Sequence, residues 1–160
     1  MQPIKQTVKQ LVKKHGTNDP VEIANQKNIL LLYEDFKSIL GYFNASRRIA
    51  MIHVNRNISD VLQRFVIAHE LGHLLLHPKV NVPFLRSNTL CSIDRIEREA
   101  NEFAAELLIP DELLLEGYTV SQAAAASGVP PEIAHLKSLP EPRKKQNIWT
   151  REDSFLTIKE

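Results

Sequence analysis

Asp60-Val-Leu-Gln-Arg-Phe-Val-Ile-Ala-His-Glu-Leu-Gly-His-Leu-Leu-Leu-His77 is the stretch on which the reading of this chain turns. Asn57 or Ser59 can cap a helix at its start, and Pro78 ends it. Val61, Leu62, Phe65, Val66, Ile67, Leu71, Leu74, Leu75 and Leu76 surround the helix axis, and a helix that is apolar all round is a buried one. Into this apolar setting fall His69, Glu70 and His73, spaced as H-E-x-x-H. With this chain's own histidine and glutamate content, such a match arises by chance only about two times in a hundred. Histidines four apart rise about 6 Å along a helix and face one way, so both imidazoles can meet one metal ion at about 2 Å each. Glu70 is offset around the axis, where it can hold a water beside the ion instead of ligating it. Burying these three ionisable groups without partners would cost about 1 to 3 kcal/mol apiece, a difficulty that a metal removes.

A catalytic zinc requires a third protein ligand. His77 extends the row, but positions eight apart on a straight helix are separated by about 12 Å, far beyond the roughly 4 Å available to two nitrogens on one ion. The ligand is therefore sought on the next helix, which Ser92 can cap and which stops before Pro110. On a wheel at about 100° per residue, Ile93, Ile96, Ala100, Phe103, Ala104 and Leu107 form an apolar arc that contains Glu97. Glu99, Glu102 and Glu106 fall on the polar side, so Glu97 alone is expected to point inward. Ala100, Ala104 and, opposite, Gly72 are small enough to let the two helices approach closely. Asp94, one turn earlier, is the main alternative ligand, although favourable charge at a helix start accounts for it. Asn101 sits at the edge of the arc, where it can orient a ligand or serve as a hydrogen-bonded core residue.

Outward from this pair, residues 29–33, 38–43 and 48–54 are short apolar runs between polar turn clusters, which predicts a three-stranded antiparallel meander. Ile4, Val8, Leu11 and Val12 predict an amphipathic helix stopped by Gly16, its lysines forming a solvated face, and Asp19-Pro20 predicts a short second helix. Asp111 to Glu116 reads as one further short turn of helix closed by Gly117. The expected class is α+β, with a catalytic domain at 1–118 and a small helical region and tail at 119–160. A chain of 160 residues can bury a sizeable core, and a net charge of +1 supplies no global field toward nucleic acid or membrane. The lone Cys91 excludes an intramolecular disulfide and reads as a small apolar residue. The absence of a signal-like or spanning apolar run places the protein in the cytoplasm with no membrane partner.

His69-Glu-Leu-Gly-His73 followed by Glu97-Arg-Glu-Ala-Asn-Glu-Phe-Ala-Ala-Glu-Leu-Leu-Ile-Pro110 resembles the ImmA/IrrE metallopeptidases. The resemblance implies a zincin-like fold, one zinc held by His69, His73 and Glu97, and Glu70 as catalytic base. It also implies a substrate class, helix-turn-helix transcriptional repressors, whose cleavage releases their genes. Manganese or another divalent ion fits the same donor set. In such a mechanism zinc lowers the pKa of water toward about 7, and Glu70 takes the proton and passes it to the leaving amine. An extended substrate could pair with a strand such as Arg48 to Val54. The residue that steadies the oxyanion stays open among Tyr42, His53, His77 and Tyr118.

Val120 to Leu136, two short helices about a Gly128 turn, has the outline of a helix-turn-helix. Its second helix carries too few cations for phosphate contacts, so a cap packed on the catalytic unit is the preferred reading over direct DNA binding. Beyond Pro140, Pro142-Arg-Lys-Lys-Gln reads as an exposed connection. The competing function is a non-catalytic metal-binding regulator that engages a repressor or DNA stoichiometrically. A structural metal site usually supplies four protein ligands, and Glu70 has no purpose in one.

Overall fold

A computed structural model of the chain describes residues 3–46, 48–78 and 90–141. The expected connection after Pro78, the side chain of Cys91 and the segment from Pro142 onward lie outside the described residues. The elements run α1 (Ile4–His15), α2 (Pro20–Gln26), β1 (Leu30–Glu34), β2 (Gly41–Ser46), β3 (Ile49–Asn55), α3 (Asp60–Leu76), α4 (Leu90–Leu108), α5 (Asp111–Leu115), α6 (Val120–Ala126) and α7 (Pro131–Ala134). None of the described helices is long and apolar enough to cross a membrane.

Local chemistry sets the ends of these helices. Gly16 closes α1 in a left-handed conformation, its N–H bonded to Val12 O, and the Asp19 carboxylate accepts from Val21 N to start α2. Ser59, one of the two expected caps, accepts from Leu62 N and starts α3. Thr119 and Gln122 form a capping box on α6. Helix α4 begins at Leu90, two residues ahead of the expected Ser92 cap.

The sheet corrects the expected meander. Its order is β1-β3-β2, with β2 antiparallel and β1 parallel to β3, so the sheet is mixed and β3 is its central strand. A meander follows when consecutive strands are neighbours. Here the six-residue link 35–40 instead carries the chain past the end of β3, leaving a slot between β1 and β2 that β3 fills. Asn55, buried at the end of β3, secures that crossing: its Nδ2 donates to Phe36 O and Ile39 O, and its backbone N–H to Leu40 O. Ser38, Ile39 and Leu40, expected in a strand, form part of this link, and β2 starts only at Gly41.

Helix α3 lies between the sheet on one side and α4 on the other, with α1 against the far side of α4 and α2 beside α3. Ile52 and Val54 of β3, Ile67 and Leu71 of α3, and Phe103 and Leu107 of α4 are fully buried in one continuous core, which extends to Ala123 and Ala124 of α6 and Ala134 of α7. The expected all-round burial of α3 holds from Phe65 to His73 except at the half-buried His69, whereas Val61 at its start is 59% exposed.

Close approach of α3 and α4 depends on Gly72, where an added Cβ would stand 3.0 to 3.1 Å from Phe103 side-chain carbons. Gly72→Val is therefore expected to lose about 1 to 3 kcal/mol through overpacking, read as a lower urea midpoint at unchanged slope. A midpoint equal to that of the parent protein would show that the helices tolerate a wider spacing.

Candidate metal centre

His69 and His73 stand one turn apart on α3, their rings edge to face with centroids 4.6 Å apart. Their Nε2 atoms converge to 3.0 Å. Across the interface, Glu97 of α4 brings Oε2 to 3.3 Å from His69 Nε2 and Oε1 to 3.6 Å from His73 Nε2. Ligands bonded to a tetrahedral ion at about 2.0 to 2.1 Å lie about 3.3 Å from one another. The three observed separations bracket that value, so the donor set fits an ion of this size with little rearrangement. Among the described residues, these are the histidines, cysteines and carboxylates grouped closely enough to hold a metal.

The residues behind the donors hold them in place. His69 Nδ1 lies 2.8 Å from Asn101 Oδ1; a carbonyl oxygen accepts, so Nδ1 carries the hydrogen and Nε2 presents its lone pair to the centre. His73 is almost fully buried, with its ring stacked on Phe43 of β2 at 6.0 Å. Phe65 lies beside His69 at 6.2 Å.

Charge within the cluster is strongly coupled. Burial disfavours the ionised form of Glu97, but hydrogen bonding and attraction from His69 and His73 outweigh it and hold the carboxyl well below the usual range. Burial also works against protonation of His69; Glu97, Glu70 and Asn101 outweigh it and raise its pKa. His73 is lowered, chiefly by burial and then by repulsion from His69 and His77. At neutral pH His73 is thus a neutral imidazole with a lone pair available, the form a metal needs.

Glu70 is 8% exposed and lines the same cavity, of about 510 Å³, as His69, Glu97 and Asn101. A somewhat larger cavity of about 560 Å³ lies around Lys5, Glu106 and Asp111 and contains none of the motif residues, so its size says nothing about where chemistry occurs.

His77 is placed elsewhere: its Nε2 lies 3.0 Å from Glu99 Oε2, a close contact without hydrogen-bond alignment. Asp94 is exposed and outside the cluster. Tyr42 and His53 stack on each other at 4.3 Å, with His53 Nδ1 2.6 Å from Glu34 Oε2, and neither they nor Tyr118 line the cavity.

The inward assignment on α4 needs correction. Glu97 is not the only inward acid, because Glu106 is more deeply buried, at 5% exposure. Helix α4 is covered on two sides: α3 takes the face bearing Glu97, while α1 and the end of α7 take the face bearing Glu106. Lys137 and Lys5 supply the cations, so Lys5 does not belong to the solvated face expected of α1. A single glutamate inside the run Phe103-Ala-Ala-Glu-Leu-Leu-Ile109 was the available signal. Pro130, Glu132 and Ile133 also line the metal-side cavity, and no pattern in the sequence marks them for that position.

Comparison with known proteins identifies the family of the chain. The peptidase M78 family model, described as an IrrE N-terminal-like domain, matches residues 24–138. The chain is 33% identical over 142 residues to the metallopeptidase ImmA of Bacillus subtilis (strain 168), covering 84% of this chain and 83% of that one. It is 41% identical over 143 residues to "uncharacterized immunity region protein 2" of Bacillus phage phi105, covering 86% and 90% respectively. In structure it is similar to a Mycobacterium tuberculosis transcriptional regulator, with a TM-score of 0.55 at 12% identity; the match covers 83% of this chain and 45% of the other, and speaks to fold alone. The chain therefore belongs to the ImmA/IrrE family of metallopeptidases, the M78 peptidases.

Proposed function

We propose that this chain is a zinc-dependent endopeptidase that cuts a helix-turn-helix transcriptional repressor in the cytoplasm and so relieves repression. The observation that carries the reading is the convergence of His69, His73 and Glu97 on one point, with Glu70 in the same cleft. In this reading the three converging side chains hold one zinc per chain, residues 1–118 form the catalytic unit and 119–138 pack against it. An ion bound there supplies Lewis acidity toward a peptide carbonyl and lowers the pKa of water toward about 7.

The chain's own residues do the rest. Asn101 fixes the His69 ring and tautomer. Glu70, offset from the ligand pair, receives the proton from water and returns it to the leaving amine. As the central strand, β3 has no free edge for a substrate, which removes the earlier choice of Arg48 to Val54. Edge strand β2, whose Gly41 lines the cleft, replaces it as the strand that an extended peptide pairs with.

Support for the repressor as substrate comes from the relatives, one a metallopeptidase and one a phage immunity region protein. Incubation of the zinc-loaded protein with the repressor encoded nearest to it is expected to give two fragments from one cut, detected by intact-mass spectrometry. A repressor left intact while its DNA binding is lost would favour stoichiometric antagonism instead.

A further inference from the structure

The cleft beside the metal centre has two walls from distant parts of the chain. One is the 38–41 link leading into β2; the other is Pro130, Glu132 and Ile133, at the start of α7. Leu62, Phe65 and Val66 of α3 make the floor apolar. Among the described residues lining this space, Glu132 is the one ionisable group besides His69, Glu70 and Glu97. Glu132 is exposed and forms no ion pair among the described residues.

The wall is pinned on both sides of Glu132. Upstream, Gly128 adopts φ +71° and sits so close to α3 that an added Cβ would stand 2.4 Å from Val61 Cγ1. Downstream, the Lys137 ammonium is buried between Glu106 Oε2 at 2.9 Å and Asp111 Oδ1 at 2.7 Å. Ser138 N–H donates to Glu106 Oε1 at 2.7 Å, and Lys5 Nζ donates to Ser138 O at 2.8 Å. Burial opposes the charge on Asp111, but Lys137 and Lys5 outweigh it and keep its carboxyl below the usual range. These contacts join α7 to α1, α4 and α5, so a four-residue helix with little stability of its own is held rigidly at the mouth of the cleft.

We propose that α7 is the specificity wall of the metal cleft: Glu132 selects a cationic side chain of the substrate beside an apolar one, and Lys137 is the positioning residue that holds this wall. The proposal rests on the peptidase reading and assigns the second helix of the 120–136 unit to substrate selection.

The test uses two labelled octapeptides with a central leucine, flanked by lysines in one and by glutamates in the other. Binding to the zinc-loaded Glu70→Gln protein is followed by fluorescence anisotropy. The lysine peptide is expected to bind about tenfold more tightly, Glu132→Gln to erase the preference and Glu132→Lys to reverse it. In the Glu70 background, Lys137→Met is expected to raise KM for the lysine peptide several-fold with kcat changed less than about threefold and zinc content unchanged, whereas general loosening would lower kcat and zinc together. Should Lys137→Met not fold, the surface changes at Glu132 still decide the matter. Equal binding of both peptides, or a preference untouched by Glu132→Lys, would overturn the proposal. Discrimination between the peptides by the Glu70→Gln protein, with no cleavage of the repressor by the zinc-loaded parent protein, would instead remove the peptidase reading and leave the wall in place.

Discussion

Glu70→Gln is expected to keep the fold and the metal while lowering peptide hydrolysis by about two to four orders of magnitude. The amide has nearly the shape of the carboxyl, so the packing around this buried position is preserved. It cannot accept a proton from water, and the other described carboxylates lining the cleft are Glu97, within the converging set, and Glu132 at the rim. Loss of the negative charge also removes one influence that raises the proton affinity of His69, which favours the deprotonated imidazole that binds metal. Single-turnover cleavage and zinc content measured on the same preparation separate the two effects. Cleavage at the parental rate in a fully loaded variant would rule out Glu70 as the base.

Glu97→Ala is expected to weaken zinc binding by more than about a hundredfold, because losing a donor exceeds the roughly 10- to 100-fold cost typical of losing a partner behind one. Glu99→Ala is the matched control. It lies two residues away, but its carboxylate is held by Arg95 at 2.8 Å and lies beside His77, outside the converging set. Competition against a chromophoric chelator at fixed pH measures both variants. Comparable affinities would mean that the third ligand is not on this helix face.

The central helix pair was legible because its periodicity, caps and small residues agree. Ser59 stands where a cap is needed, Gly72 and the alanines of α4 allow close approach, and the wheel turned Glu97 toward His69 and His73, where its carboxylate lies. Sheet order was not legible. Apolar runs and turn residues fix which segments extend, but the crossing of link 35–40 past β3 depends on Asn55 bonding carbonyls 16 and 19 residues away, which no local pattern encodes. Glu106 was misplaced for a related reason. Its wheel position was judged against one partner helix, whereas Lys137, 31 residues later, supplies a second buried environment. The sequence of Pro130, Glu132 and Ile133 suggests only a cap; their place in the cleft follows from where Gly128 and Lys137 anchor α7.

The central claim is that hydrolysis requires one divalent ion held by His69, His73 and Glu97. Its most direct test is a titration: the protein is stripped of metal, zinc is returned in fractions of an equivalent, and the initial rate of repressor cleavage is measured at each step. A rate that starts at zero, rises linearly and breaks at one zinc per chain, with no such rise in Glu97→Ala, is the predicted result. Cleavage by the stripped protein at the full rate would contradict it.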